Sequence, residues 1–201
     1  LLGGFATLAA RPAHADVPRL SGLVALSDSL RELWPVAGAF LYPVGDPHDF
    51  RRGRDGESGY AVLRGLISGT DSTAAHRGAD IGNGHAGGIV RAAASGLVVC
   101  GAGDGWRPGY GNYVTLAHHL PDGALVYTVY AHLVAGSLRV RRAERVWAGR
   151  ALGRVGRSGR ATADHLHFEV RAAGDFERRW EKLDALDPLE FVGSRLPAHS
   201  G

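Results

Sequence analysis

Glycine interrupts this chain so often that its apolar segments stay short, and this limits the fold more than any other feature. The 201 residues include 30 glycines and 9 prolines, and 45% of them are hydrophobic. Short apolar runs bounded by glycine, proline or aspartate are typical of β-strands joined by tight turns. The expected strands cover residues 89–92, 96–101, 113–117, 125–132 and 165–171. The sequence therefore predicts a mainly β, antiparallel fold.

The first residues have a different character. Residues 1–10 are apolar and small, and Ala13, His14 and Ala15 form a small-x-small step before Asp16. This pattern is typical of the second half of a secretory signal peptide, although an ordinary helix or a membrane anchor is an alternative. We therefore expect a leader remnant over residues 1–15 and an exported protein of the periplasm, cell envelope or extracellular space. After cleavage of the leader no membrane span is expected, since no later segment reaches the roughly 20 apolar residues that a span needs.

The remaining chain divides into three expected parts. Apolar residues at helical spacing in 20–33, ended by Pro35, predict a short N-terminal helix within a segment over residues 16–38. The main domain is expected over residues 39–193, with a tail over 194–201. Inside the domain we expect a polar loop at 51–58, a weakly structured stretch at 60–73 and a closing turn at 187–189.

Charge and cysteine content narrow the function classes. The net charge of +3 and the pI of about 9.3 are compatible with binding to an anionic polymer such as a cell wall. They are equally compatible with a bias toward arginine in the coding sequence that has no functional meaning. The arginines are scattered and not interleaved with aromatic residues, which argues against a nucleic-acid partner. Cys100 is the one cysteine, so an intramolecular disulfide and a cysteine-based zinc site are excluded, and it is expected to be a buried, inert thiol.

Two short patterns contain side chains that bind transition metals. His76 and Asp80 lie four residues apart, and Gly78 between them allows the backbone to turn so that both side chains converge. His165 and His167 are two residues apart in an expected strand, so they point to one face. The alternate residues of that strand point into a core: Leu166, Phe168 and Val170. Taken alone, each pattern also fits surface histidines or a capping aspartate.

Two further residues are less distinctive. His132 ends an apolar run, where strand alternation places it on the face of Thr128 and Tyr130. A structural histidine would fit that position as well as a catalytic one. Glu169 shares the strand face of His165 and His167, and we interpret it as structural.

In their order along the chain these patterns resemble the LytM-type (lysostaphin-like) M23 family of zinc metallopeptidases. The resemblance covers about residues 40–192. The matching stretches are HRGAD at 76–80, ASGLVV at 94–99, GYGNYV at 109–114, YAHL at 130–133, Ala-Gly at 148–149, GRVGRSG at 153–159 and HLHFE at 165–169. Each stretch is modest alone, but the ordered set is specific.

The resemblance assigns roles to five residues. It implies a single Zn²⁺ cofactor with three protein ligands, which are His76, Asp80 and His167. It implies that His165 and His132 form a catalytic pair beside the metal. His165 is expected to accept a proton from the attacking water, and His132 to stabilise the oxyanion or share the role of base.

The resemblance also implies a fold and a substrate groove. The fold is a central antiparallel sheet of the duplicated-hybrid-motif kind, with loops that wall a narrow cleft. Asn112 and Tyr113 match a stretch that lines the groove. The long polar segment over residues 50–76 and the inserted loop at 104–108 depart from the family pattern. The resemblance therefore does not determine the walls of the groove or the choice of substrate.

The function implied by the resemblance is zinc-dependent endopeptidase cleavage of the peptide cross-links of bacterial peptidoglycan. One alternative is a catalytically silent relative that regulates other cell-wall hydrolases, although all five site positions are occupied as an active enzyme requires. A wall-binding module and a zinc peptidase acting on a non-wall peptide are two others. The bond cut, such as D-Ala-diaminopimelate or a glycine bridge, and the oligomeric state stay open.

Overall fold

The computed structural model of the chain describes residues 35–54, 56–67, 75–172 and 180–198. The expected leader over residues 1–15, the expected helix over 20–33 and the last three residues of the tail lie outside them. In the part of the chain that is described, no helix is long and apolar enough to cross a membrane.

The described residues form short strands with little helix. The strands are β1 Ala61–Arg64, β2 Ala79–Gly82, β3 Ile89–Arg91, β4 Gly96–Cys100, β5 Trp106–Arg107, β6 Gly111–His119, β7 Leu125–Leu133, β8 Arg145–Val146, β9 Ala151–Arg154, β10 Leu166–Ala172 and β11 Asp184–Leu186. A 3₁₀ turn covers Trp180–Lys182, and a helix, α1, covers Pro188–Gly193. The mainly β prediction is confirmed.

One large sheet organises these strands. Its order is β1-β2-β10-β7-β6-β4-β8, with β11 added to β10 and β5 added to β6, while β3 and β9 form a separate ribbon. Every pairing between the named strands is antiparallel. The central strand β10 lies between β2 and β7, so residues from three distant parts of the sequence meet at its end.

Side-chain alternation divides the sheet into two faces. On β10, Leu166, Phe168 and Val170 are fully buried in the main core, as the alternation predicted. The opposite face carries a second cluster that includes Tyr113, Val129, Trp180 and the buried Cys100. The main core also contains the four apolar residues of the segment 137–155 that were expected there: Val140, Val146, Leu152 and Val155.

Two segments expected to lack regular structure contain strands. Within 60–73, residues of β1 pair with β2 although all four side chains are exposed. An edge strand exposed on both faces has no apolar alternation, so periodicity cannot reveal it. Within 104–108, Trp106 and Arg107 pair with the start of β6, in a strand too short to show a period.

Hydrogen bonds and an aromatic contact hold the first and last described segments against the sheet. The expected turn at 187–189 is the start of α1, where the Asp187 carboxylate accepts from the backbone N–H groups of Leu189 and Glu190. Phe191 of this helix contacts the ring of Phe40 edge-on, with centroids 5.0 Å apart. The N–H of Ala37 donates to the carbonyl of His119, so the packed unit includes residues before position 39.

Candidate metal centre

The sheet register brings the two metal-binding patterns together. Asp80 lies in β2 directly opposite His167 in β10. His76 precedes β2 and pairs through its backbone with Ile67. The chain between His76 and Asp80 passes very close to β10, because a Cβ at Gly78 would lie 2.3 Å from the carbonyl oxygen of Phe168. Only glycine allows this approach.

Three donor atoms converge at this point. His76 Nε2 lies 3.0 Å from Asp80 Oδ1 and 3.1 Å from His167 Nδ1, and the latter two atoms are 2.7 Å apart. A zinc ion with tetrahedral bonds of about 2.0–2.1 Å places its ligand atoms about 3.3 Å from one another. Two imidazole nitrogens and one carboxylate oxygen also form a typical set for a catalytic zinc with one open position. The residues present therefore fit a zinc ion.

Hydrogen bonds hold both histidines of this set in one orientation. His76 Nδ1 lies 2.7 Å from the carbonyl oxygen of Gly65, so this nitrogen donates and Nε2 keeps its lone pair. His167 Nε2 lies 2.9 Å from Oε1 of Glu169. In both rings the nitrogen that faces the other two donors, which contacts Asp80 Oδ1 here, is the one that a metal ion would bind in place of a proton.

Two more histidines lie beside the three donors. The ring centroids of His132 and His165 are 4.8 Å apart, and that of His132 is 5.7 Å from that of His167. His132 Nδ1 donates to the carbonyl of Ser158 at 2.8 Å, and His165 Nδ1 to that of Ala163 at 2.9 Å. Each ring is thus anchored through Nδ1 to the backbone.

The side chain of His132 points to the opposite side of the sheet from the one that strand alternation predicts. Alternation along β7 placed it with Thr128 and Tyr130, but its ring lies among the site histidines, and Leu133 joins Tyr130 in the main core. The reason is the backbone of His132, whose φ of 63° is left-handed. This conformation is uncommon for a residue other than glycine, and it reverses the alternation at the end of the strand.

The charges of the site depend on one another. Burial would raise the pKa of Asp80, but hydrogen bonds from the neighbouring histidines outweigh it and hold the pKa well below its ordinary value. Burial would lower the pKa of His167, but its bonds to Asp80 and Glu169 raise the pKa to about 9. Burial lowers the pKa of His132 to about 4, so this ring is neutral at pH 7. The centre therefore combines a carboxylate with histidines of contrasting basicity.

Glu169, expected to be structural, lies in contact with the site. Its side chain is 1% exposed, and its carboxylate binds His167, Tyr110 and Arg171. The same-face spacing from His167 was visible in the sequence. The burial and the partners were not, because Tyr110 lies 59 residues away.

The two expected groove residues differ in exposure. Asn112 is half-buried, and its side-chain amide donates to the carbonyl of Leu133 at 3.2 Å. Tyr113 is 6% exposed and packs in the second cluster near Trp180. A cavity of about 460 Å³ borders Asn112, and its other lining residues include Trp106 and Leu138. Asn112 is thus the residue of the two that reaches an open hollow.

Comparisons with known proteins agree on one family. Residues 74–178, slightly more than half of the chain, match the profile of peptidase family M23. The chain is 41% identical over 85 residues to the DD-carboxypeptidase/endopeptidase Mpg of Neisseria meningitidis serogroup B (strain ATCC 13091 / M2091), and equally so to that of Neisseria gonorrhoeae. The match covers 42% of this chain, but this chain spans 17% of the length of those relatives, less than a fifth.

Solved structures share the fold. The catalytic domain of the antimicrobial peptidase lysostaphin from Staphylococcus simulans is 28% identical, with a TM-score of 0.51 over 66% of this chain and 90% of that domain. A zinc-containing peptidase from Vibrio cholerae is 23% identical, with a TM-score of 0.56 over 80% of this chain and 41% of the other. The second similarity concerns the fold alone.

Proposed function

The chain belongs to peptidase family M23, and from that premise we propose that it is a zinc-dependent endopeptidase that cleaves the peptide cross-links of bacterial peptidoglycan. The observation that carries the proposal is the convergence of His76 Nε2, Asp80 Oδ1 and His167 Nδ1 within 3.1 Å, with two anchored histidines beside them. The relatives named as endopeptidases support the class of reaction. The resemblance found in the sequence supports the wall as substrate.

In the proposed reaction the metal and the two further histidines would have different tasks. When held by the three donors, zinc supplies Lewis-acid chemistry that polarises a peptide carbonyl and makes water a nucleophile near neutral pH. His132 and His165 would handle the protons. General acid–base groups of this kind contribute about 10²- to 10⁴-fold to a rate.

The hydrogen bonds suggest how these two histidines share the work. His132 is neutral at pH 7 and donates through Nδ1, so its Nε2 keeps a lone pair with which it could accept a proton from water. Burial would lower the pKa of His165, but hydrogen bonds to Asp80 and to the Ala163 carbonyl raise it, with Nε2 3.5 Å from the Asp80 oxygen. His165 would therefore carry a proton more readily, and it suits donation to the oxyanion or to the leaving amine. This assignment exchanges the roles expected from the resemblance.

The proposal includes an exported location, because its substrate lies outside the cytoplasmic membrane. Fractionation of cells that make the protein tests this point. Recovery of the mature protein from the envelope or the medium is the expected result, and retention of all of it in the cytoplasm would contradict it.

The direct test is mass spectrometry of fragments released from purified peptidoglycan by the zinc-loaded protein. Matched samples contain a chelator, the variant His165→Ala, or the surface variant Trp147→Ala, whose indole is 72% exposed. We expect peptide-cleaved fragments from the unmodified protein and from Trp147→Ala, and little release from the other two. The fragment masses identify the bond. Intact wall together with measured zinc binding would instead favour the silent regulator or a non-wall peptide substrate.

A further inference from the structure

A fully buried ion pair lies directly behind the metal centre. Glu169 and Arg171 occupy the same face of β10 as His167, and both are 1% exposed. Burying two charges costs desolvation free energy, and a protein with an apolar pair of similar size in their place is often at least as stable. The pair therefore calls for an explanation other than stability, and the contacts of its carboxylate supply one.

The two oxygens of Glu169 have different partners. Oε2 accepts from Arg171 Nε at 2.8 Å and from Arg171 Nη2 at 2.7 Å. Oε1 accepts from the Tyr110 hydroxyl at 2.7 Å and from His167 Nε2 at 2.9 Å. One oxygen thus holds the carboxylate in place, and the other faces the histidine.

This arrangement determines which nitrogen of His167 carries the hydrogen. An ionised carboxylate can only accept, so His167 Nε2 must donate. In the neutral ring the lone pair then lies on Nδ1, the atom that is 2.7 Å from Asp80 Oδ1 and 3.1 Å from His76 Nε2. The other tautomer would place a hydrogen between the three donors and leave Nε2 without a donor for Glu169.

We propose that Glu169, held by Arg171 and Tyr110, is a positioning residue that selects the metal-binding tautomer of His167 and directs its Nδ1 at the zinc ion. The inference rests on the proposed function and deepens it.

Arg171 and Tyr110 connect this carboxylate to the rest of the site. Arg171 Nη1 donates to the carbonyl of Leu183 at 3.0 Å, which ties β10 to the segment after the 3₁₀ turn. The backbone carbonyl of Tyr110 accepts from the N–H of His132 at 2.9 Å. Tyr110 therefore contacts Glu169 through its hydroxyl and the left-handed residue His132 through its backbone carbonyl.

The test compares two double variants that differ in a single acceptor. Glu169→Gln alone would leave the charge of Arg171 buried without its counter-charge and destabilise the fold. Both variants therefore carry Arg171→Met, and position 169 is changed to Gln in one and to Leu in the other. Gln keeps an oxygen that can accept from His167 Nε2, whereas Leu has a similar volume and no acceptor.

Zinc affinity is the first measurement, made by competition with a chromophoric chelator. Loss of a partner that orients a ligand histidine typically weakens metal binding by about 10- to 100-fold. We expect the Leu variant to bind zinc more weakly than the Gln variant by this factor. Urea unfolding of the metal-free proteins supplies the control, since a merely structural role would change the free energy of unfolding and leave the ratio of zinc dissociation constants near one.

Nuclear magnetic resonance of the zinc-loaded proteins is the second measurement. A hydrogen-bonded Nε2–H proton of His167 should be visible in the unmodified protein and in the Gln variant, and absent in the Leu variant. Equal zinc dissociation constants in two folded variants, with wall cleavage intact in the unmodified protein, would overturn this inference alone. Failure of the unmodified protein to bind zinc would overturn both this inference and the proposed function.

Discussion

At the scale of single residues, His132 shows how a local backbone state places a functional group. Its left-handed φ removes it from the core face of β7 and brings its ring within 4.8 Å of the ring of His165. Such a conformation is costly for a residue with a side chain and persists where the surrounding structure enforces it. Here the carbonyls of Tyr110 and Ser158 accept from its backbone N–H and from its ring. The strain thus coincides with a proposed catalytic position.

Mutation can distinguish the proposed catalytic pair, His132 and His165, from the proposed metal ligands. We expect His132→Ala and His165→Ala each to lower kcat for wall cleavage by about 10²- to 10⁴-fold, because each removes a group that moves protons. Zinc affinity should change little, since neither residue belongs to the three converging donors. Steady-state kinetics and chelator competition on the same preparations test both statements. Loss of zinc binding in either variant would make that histidine a ligand.

His118 lies away from the metal centre and is fully buried. One ring nitrogen lies 2.9 Å from the carbonyl oxygen of Ser95 and the other 2.7 Å from the hydroxyl of Thr128. Burial lowers its pKa to about 4. The folded protein therefore binds fewer protons at this site than the unfolded chain, whose histidines have a pKa of about 6.5.

This difference predicts a loss of stability in acid. The contribution of His118 is fully present above about pH 6.5 and is lost as the pH falls toward 4, amounting to about 3 kcal/mol across that window. Urea unfolding at a series of pH values measures it. The variant His118→Gln should show a shallower fall in the free energy of unfolding between pH 6.5 and 4. Parallel curves for the two proteins would contradict the assignment.

At the scale of elements, the short strand β5 pairs with the start of β6 and borders a cavity next to the site. Trp106 pairs with Asn112, and Asn112 pairs with Leu133, the residue after His132. The indole is 61% exposed and lines the cavity of about 460 Å³ that Asn112 borders. An exposed aromatic side chain beside an open hollow offers a flat surface on which substrate groups can stack.

Kinetics with wall fragments can test whether this hollow contacts substrate. Trp106→Ala should raise KM by about 2- to 10-fold through the loss of one stacking contact, with kcat and zinc affinity unchanged. Trp147→Ala is the matched control, because it removes an indole that is also exposed, at 72%, but does not line this cavity. The same KM in both variants and the unmodified protein would show that substrate does not reach β5.

At the scale of the whole molecule, the proposed binding of zinc would be linked to folding. The three donors belong to β10, to β2 and to the segment before β2, and they converge only when the sheet has formed. A ligand that binds the folded form alone stabilises it by about 2.7 kcal/mol when its concentration is 100 times its dissociation constant. Zinc binding should therefore raise the free energy of unfolding.

Thermal unfolding with and without zinc tests this linkage. At that concentration we expect Tm to rise by roughly 5–10 °C, given the usual response of domains of this size. A chelator should reverse the rise, and Asp80→Asn should reduce it because the variant lacks the anionic ligand. A Tm that is independent of zinc would count against a metal centre at this place.

Much of the fold and of the site was predictable because strand geometry is local. Alternation along β10 correctly separated the histidine face from the buried Leu166 and Phe168. Gly78 was expected to let the backbone turn between His76 and Asp80, and the structure shows a further reason for glycine there, the close approach of this segment to the carbonyl of Phe168. The family resemblance named the three residues whose donor atoms converge, and the structure places them within 3.1 Å of one another.

Other features required the assembled sheet. The strand β1 forms because β2 has a free edge to pair with, and its own side chains carry no periodic signal. The face of His132 depends on a left-handed φ that contacts with Tyr110 and Ser158 support. Neither feature follows from the residues next to it in the chain.

The antiparallel β architecture, the histidines on one face of β10 and the family of the chain are readable from the residues alone. The partners of Glu169, the side of the sheet to which His132 points and the hollow beside Asn112 become visible in the folded protein. The two groups of features differ in the distance along the chain over which their causes act. Strand periodicity and glycine turns act over a few neighbouring residues, whereas burial and hydrogen-bond pairing depend on groups such as Tyr110 that lie 59 residues from their partner.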